Sequence, residues 1–189
     1  MGNREEQVGF MQLFAQRLNR LSAGLNSIAL WGAVLAVLVM VFAAGWQVIA
    51  RYVFEAPPIW TEELARRAMV WTGMLGASCA FYAGTDPTLF PAMRLRRGGP
   101  GAALAVIRAT GVLAFAIPIL WYSVFNAGMD PARGFLGRSL ARQAEMLDMS
   151  MIWFTACVPL ALLLILVHLS ARLALRFSGL VPDTQPPEF

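Results

Sequence analysis

The chain has 189 residues, 58% of them hydrophobic and only 14% charged, with a mean hydropathy of +0.61. A soluble domain carries about 25% charged residues, so this composition excludes an ordinary soluble fold and puts the chain among membrane proteins. The net charge of +4 comes entirely from arginine, since there is no lysine, and the arginines sit at the ends of apolar runs. Nucleic-acid binding wants one basic face, and none is visible.

Residues 1–23 open the chain with Phe10, Phe14, Leu18 and Leu21 at helical spacing, opposite Gln12, Gln16, Asn19 and Arg20. That pattern predicts an amphipathic helix lying in the headgroup region before the chain turns into the bilayer. It lacks a compact apolar core followed by a small-residue cleavage site, so a cleavable signal peptide is not expected. Residues 24–176 hold four apolar runs, read as transmembrane helices over Gly24–Ala50, Leu64–Ala83, Ala102–Phe125 and Ser150–Arg172. Each can cross ~30 Å of hydrocarbon at helical rise. The second is the shortest and spans only if Glu62–Arg67 is already helical at the interface. Residues 177–189, with their prolines, read as a flexible tail. The expected fold is therefore an all-α integral membrane protein with four transmembrane helices and an N-terminal interfacial helix.

Between the first two runs lies "RYVFEAPPIWTEELARR", residues 51–67. Pro57 and Pro58 forbid helix continuation. Trp60 suits the interface, and Thr61 is a candidate N-cap for the second helix. Glu62 and Glu63 fall in its first turn, where negative charge complements the helix dipole. The pairs Glu62–Arg66 and Glu63–Arg67 have the i,i+4 order that favours ion pairing. On these residues alone the cluster is a cap, an anchor and a salt-bridged helix entry, with no nucleophile or histidine base nearby.

Further along, Gly73, Ala77, Ala80 and Gly84 form a stripe of small side chains. It could face the other helices of the chain or another subunit. Pro118 and Pro159 can bend the third and fourth helices. The segment 130–148, "DPARGFLGRSLARQAEMLD", reads as an amphipathic piece that lies on lipid or meets a partner. His168 is the single histidine; one turn before Arg172, it suits an interfacial polar contact better than ligation. Arg108 is placed to reach the inner headgroups. Cys79 and Cys157 fall in different runs and at different depths, as two small buried hydrophobes rather than a disulfide. With the N-terminus inside, nine arginines, including those of the RLRR at 94–97, fall on the inner side against six on the outer, which predicts two cytoplasmic termini.

The stretch from Arg51 to Phe81 resembles the small membrane subunit of tripartite ATP-independent periplasmic (TRAP) transporters, and residues 51–66 match its motif position by position. "MLDMSMIWFTACVPLALLLILVHL", residues 146–169, is similar to the family's last helix. The chain departs from the family at 81–93, where "FYAGTDPTLFPAM" lacks the basic residue and Gly-x-His of many relatives. The resemblance implies a bacterial inner-membrane protein without cofactor or catalysis. It would pack beside a large permease subunit that carries solute and sodium, and serve a periplasmic substrate-binding protein. It also implies that Arg51, Tyr52, Trp60, Thr61, Glu62, Glu63 and Arg66 form a partner-facing or structural motif.

Two other readings compete. A haem-bearing electron-transfer subunit needs axial ligands that one histidine cannot supply as a pair. An autonomous small transporter needs a carboxylate deep in a span, and every Asp and Glu here lies at or beyond an interface.

Overall fold

A single helix, α1 (Gly2–Tyr52), runs unbroken through the N-terminal quarter of the chain. The computed structural model describes residues 2–85, 99–125 and 128–180. After α1 come α2 (Trp60–Ala83), α3 (Gly99–Val124), a 3-10 turn (Pro131–Arg133), α4 (Phe135–Ala141), the one-turn α5 (Ile152–Thr155) and α6 (Cys157–Phe177). The expected all-helical architecture is what forms. The divergent loop and the tail expected to be flexible fall largely outside the described residues.

α1 is longer than expected and does not turn at Gly24. Nothing in the sequence there stops a helix, because no proline follows Gly24 and the apolar run from Ile28 continues the helix. Its ideal length is about 76 Å, well beyond the ~45 Å of a bilayer with headgroups. The face it buries is made of small residues at a seven-residue spacing: Ala15, Ser22, Ala29, Ala43 and Ala50 are buried, and Ala36, half-buried, completes the series. A strict heptad keeps one seam facing its neighbours over many turns. Small side chains on that seam let other helices approach closely.

Both α2 and α6 use that seam, and they also pack on each other. Ala29 and Ala33 of α1 meet Leu75 of α2, with Trp71, Cys79 and Leu164 around them. A Cβ added at Gly32 would stand 3.0 Å from Leu75 Cδ1, so this contact is closely fitted. α3 packs mainly on α6, where Ala109 and Val112 join Phe81, Ile165 and Leu169. The core is thus a three-helix junction of α1, α2 and α6, with α3 added outside. Towards the start of α2 the helices diverge, leaving an open apolar groove of about 330 Å³ lined by Gly32, Ala36, Leu64, Trp71 and Phe154.

Among the described residues, three segments are long and apolar enough to cross a membrane: Gly9–Tyr52, Gly101–Val124 and Ile152–Phe177. This makes the chain a multi-pass membrane protein. α2 is not among the three, because its charged first turns and small residues dilute its hydropathy. It is helical from Trp60, as crossing would require. Pro159 has no N–H to offer Thr155, and the helix is interrupted just there, at Ala156. Pro118 is absorbed within α3.

Two glycines fix how α3 hands over to α4. A Cβ on Gly134 would lie 2.2 Å from the Val124 carbonyl oxygen, and one on Gly137 would lie 2.3 Å from that of Pro131. Backbone cannot yield to such contacts without moving the segment. Gly134→Ala should therefore lower stability by about 1–3 kcal/mol, the usual range for overpacking. Gly73→Ala, whose Cβ would meet nothing within 4 Å, should be neutral or slightly stabilising. Thermal unfolding of both variants in detergent checks the contrast.

Candidate functional site

The first turns of α2 gather the charged residues singled out in the sequence. α1 ends at Tyr52, and the chain reverses through Glu55, which takes a left-handed conformation (φ 54°). The Ala56 amide then donates to the Ala50 carbonyl at 3.1 Å, closing the helix end before Pro57 is reached. Arg51 and Tyr52 are exposed on one side of this turn, and Trp60 is exposed on the other.

The N-cap expected of Thr61 does not form. The helix begins one residue earlier, at Trp60, so Thr61 lies inside the first turn. Its buried hydroxyl donates back to the Pro58 carbonyl at 2.7 Å. It therefore ties the proline turn to the helix rather than satisfying a free amide.

Both expected ion pairs form, but in different surroundings. Glu62 and Arg66 meet at 3.3 Å with both side chains mostly in the open, a setting worth little. Glu63 is 3% exposed. Its Oε1 accepts from Arg67 Nη2 at 3.0 Å, and its Oε2 accepts from the Met146 backbone amide at 2.7 Å. The Arg67 guanidinium in turn lies 5.7 Å from the centre of the Phe154 ring. One carboxylate thus connects α2, α5 and the segment between α4 and α5.

That segment is a small hairpin. The Met151 amide donates to Arg142 O at 2.8 Å, and the Ala144 amide donates to Met149 O at 2.9 Å. The Ser150 hydroxyl reaches the carbonyls of Ser139 and Leu140. Before it, Asp130 caps the 3-10 turn by accepting from the Ala132 amide at 3.0 Å. A second tie lies below, where Trp71 Nε1 donates to the Trp153 carbonyl at 2.9 Å. The expected amphipathic character survives only in the short α4, with Phe135 and Leu140 exposed. The hairpin itself is organised by hydrogen bonds that side-chain periodicity does not encode.

Burial works to raise the Glu63 pKa. The Met146 amide and Arg67 more than offset it, holding the carboxyl below its ordinary value of 4.5. Glu63 precedes the apolar run of α2, so this chemistry belongs to the interface and not to the bilayer core. No group of three His, Cys, Asp or Glu side chains converges among the described residues.

The small-residue stripe of α2 is split. Gly73 and Ala77 are exposed, Ala80 is half-buried, and the buried line of the helix runs instead through Ala68, Leu75, Ser78 and Phe81. Gly84 has a separate task. It ends α2 in the left-handed region (φ 77°), which glycine adopts without steric cost. At the opposite end from Glu63, the Arg108 and Arg172 guanidiniums lie 4.8 and 5.6 Å from the centre of the Phe81 ring. Cys79 and Cys157 are free thiols.

The family profile of the DctQ component of tripartite ATP-independent periplasmic transporters matches residues 40–179. The chain belongs to the DctQ family. No curated protein matches it. The matched region runs from the last turns of α1 through the Glu63 site to the end of α6. DctQ proteins are components of transporters with several parts, so this chain is a TRAP small membrane subunit with partner subunits.

Two outcomes follow from the unequal glutamates of this DctQ subunit. Glu63→Gln should cost about 1.5–3 kcal/mol, the range for a hydrogen bond to a charged group, whereas Glu62→Gln should cost under about 1 kcal/mol. Amide exchange across 142–151 should accelerate in the first variant only. The second outcome concerns pH. Folding depresses the Glu63 pKa, so its contribution is complete above 4.5 and is lost as pH falls through the depressed value. The Met146 amide resonance should hold its bonded position down to pH 4.5 and shift only below it.

Proposed function

We propose that this subunit is the fixed scaffold of a sodium-coupled, binding-protein-dependent uptake system in the bacterial inner membrane, with both termini cytoplasmic. Its α2 crosses the bilayer as a fourth span, and residues 2–23 of α1 run through the inner headgroup layer. The family match over 40–179 carries this reading. Three features of the structure support it. All described Asp and Glu side chains with known surroundings lie at the Glu63 end of the molecule, so solute and ion chemistry belong to the large subunit. Thr61 ties the proline turn and Glu63 the hairpin, while Arg51, Tyr52, Trp60, Glu62 and Arg66 of the same motif are exposed around them, a surface which a soluble binding protein could meet. The exposed Gly73 and Ala77 give the large subunit a face it can approach closely.

Co-expression with the large permease subunit, followed by affinity purification of either chain, tests the assignment directly. The two should stay together in detergent; separation would remove its main support. Gly73→Leu with Ala77→Leu should leave the isolated subunit folded and lower complex yield about tenfold, the equivalent of ~1.4 kcal/mol. Vesicles holding this subunit alone should take up no solute.

A further inference from the structure

The junction of α1, α2 and α6 is apolar at the level of Ala29, Leu75 and Leu164. One helical turn further from the Glu63 end, its character changes. The residue one turn from Ala29 on α1 is Asn26, the one from Leu75 on α2 is Ser78, and the one from Leu164 on α6 is His168. Each contributes a buried polar atom with no hydrogen-bond partner among the described residues: Asn26 Oδ1, Ser78 Oγ and His168 Nε2. Ser78 and His168 are both wholly buried. The other ring nitrogen of His168 is satisfied, because Nδ1 lies 2.7 Å from the Ser22 hydroxyl. The Tyr82 ring packs against the imidazole at 5.1 Å between centroids.

One orphaned polar atom at a helix interface is costly, and three from three helices at one level call for a common partner. We infer that this layer is a binding site for one ordered water, held between Asn26 Oδ1, Ser78 Oγ and His168 Nε2. Water fits for three reasons. Buried waters make about three hydrogen bonds, typically to otherwise unsatisfied groups. Water can donate to the Asn26 oxygen and still serve either tautomer of His168. Finally, the three atoms belong to neutral side chains, and Arg172 stands one turn from His168, so the layer has no attraction for a cation. The water joins the three core helices one turn beyond the Ala29–Leu75–Leu164 level, and so fixes their register. This does not depend on the transport role proposed above.

His168 is the single histidine of the chain, which makes the test clean. The full chain is labelled with [15N]histidine, purified through a histidine-free tag and placed in lipid nanodiscs. Solid-state NMR with transfer from water protons then reads one pair of ring nitrogens. A water correlation at Nε2 is expected in the natural sequence and should be lost in Ser78→Ala and in Asn26→Leu. No correlation in the natural sequence overturns the site, whether or not the variants fold. A correlation unchanged in both variants overturns it as well. Thermal unfolding gives an independent reading. Ser78→Ala should lower Tm by about 2–4 °C if the hydroxyl holds water; an unchanged or raised Tm would mean that it holds nothing.

Discussion

The close approach of α2 and α6 to the small-residue seam of α1 is the constraint on which the rest of the molecule depends. In a bilayer, helices gain nothing from hiding apolar surface, because lipid is as apolar as leucine. Association must come from tight packing and from hydrogen bonds that lipid cannot offer. The seam from Ala15 to Ala50 supplies the first along several turns. The polar layer at Asn26, Ser78 and His168, with Ser22 beside it, supplies the second at one level.

The two ends of the bundle solve different electrostatic problems. At the Glu63 end, one buried carboxylate gathers a hairpin amide and a guanidinium at the start of α2, with one oxygen for each. Glu63 is thus structural furniture of an active kind: it shapes what lies outside the membrane. At the other end, the Arg108 and Arg172 guanidiniums rest on the Phe81 ring, and Arg172 also donates to the Tyr82 carbonyl. The family assignment fits this division, since a subunit that receives partners needs defined surfaces more than reactive groups.

Much of this was legible in the sequence because it is local. The all-helical class followed from apolar run length, and the family from the order of signals in 51–66. The ion pairs at Glu62 and Glu63 followed from i,i+4 spacing, which survives in almost any helix. The unequal weight of the two glutamates is not legible in the sequence, because it depends on the Met146 amide arriving from 83 residues away. Thr61 was misplaced by one residue at a helix end, where the first turn can start on either side of a tryptophan. The continuous α1 was missed by treating polar residues before Gly24 as a boundary. The seven-residue run of alanines and one serine, visible in the sequence, would have argued for one helix.

Chain order and spatial order disagree in one instructive way. α6 is the last helix described, yet it fills the centre of the junction, while α3 precedes it and packs outside. During synthesis, then, α1 and α2 emerge before α6, and Ser22, Asn26 and Ser78 wait without the helix that later packs beside them. α3 has little to dock on until α6 emerges from the ribosome. A nascent chain stalled before residue 168 would carry a polar scar in its membrane surface, and quality-control proteases that sense intramembrane polarity would have a ready mark for it.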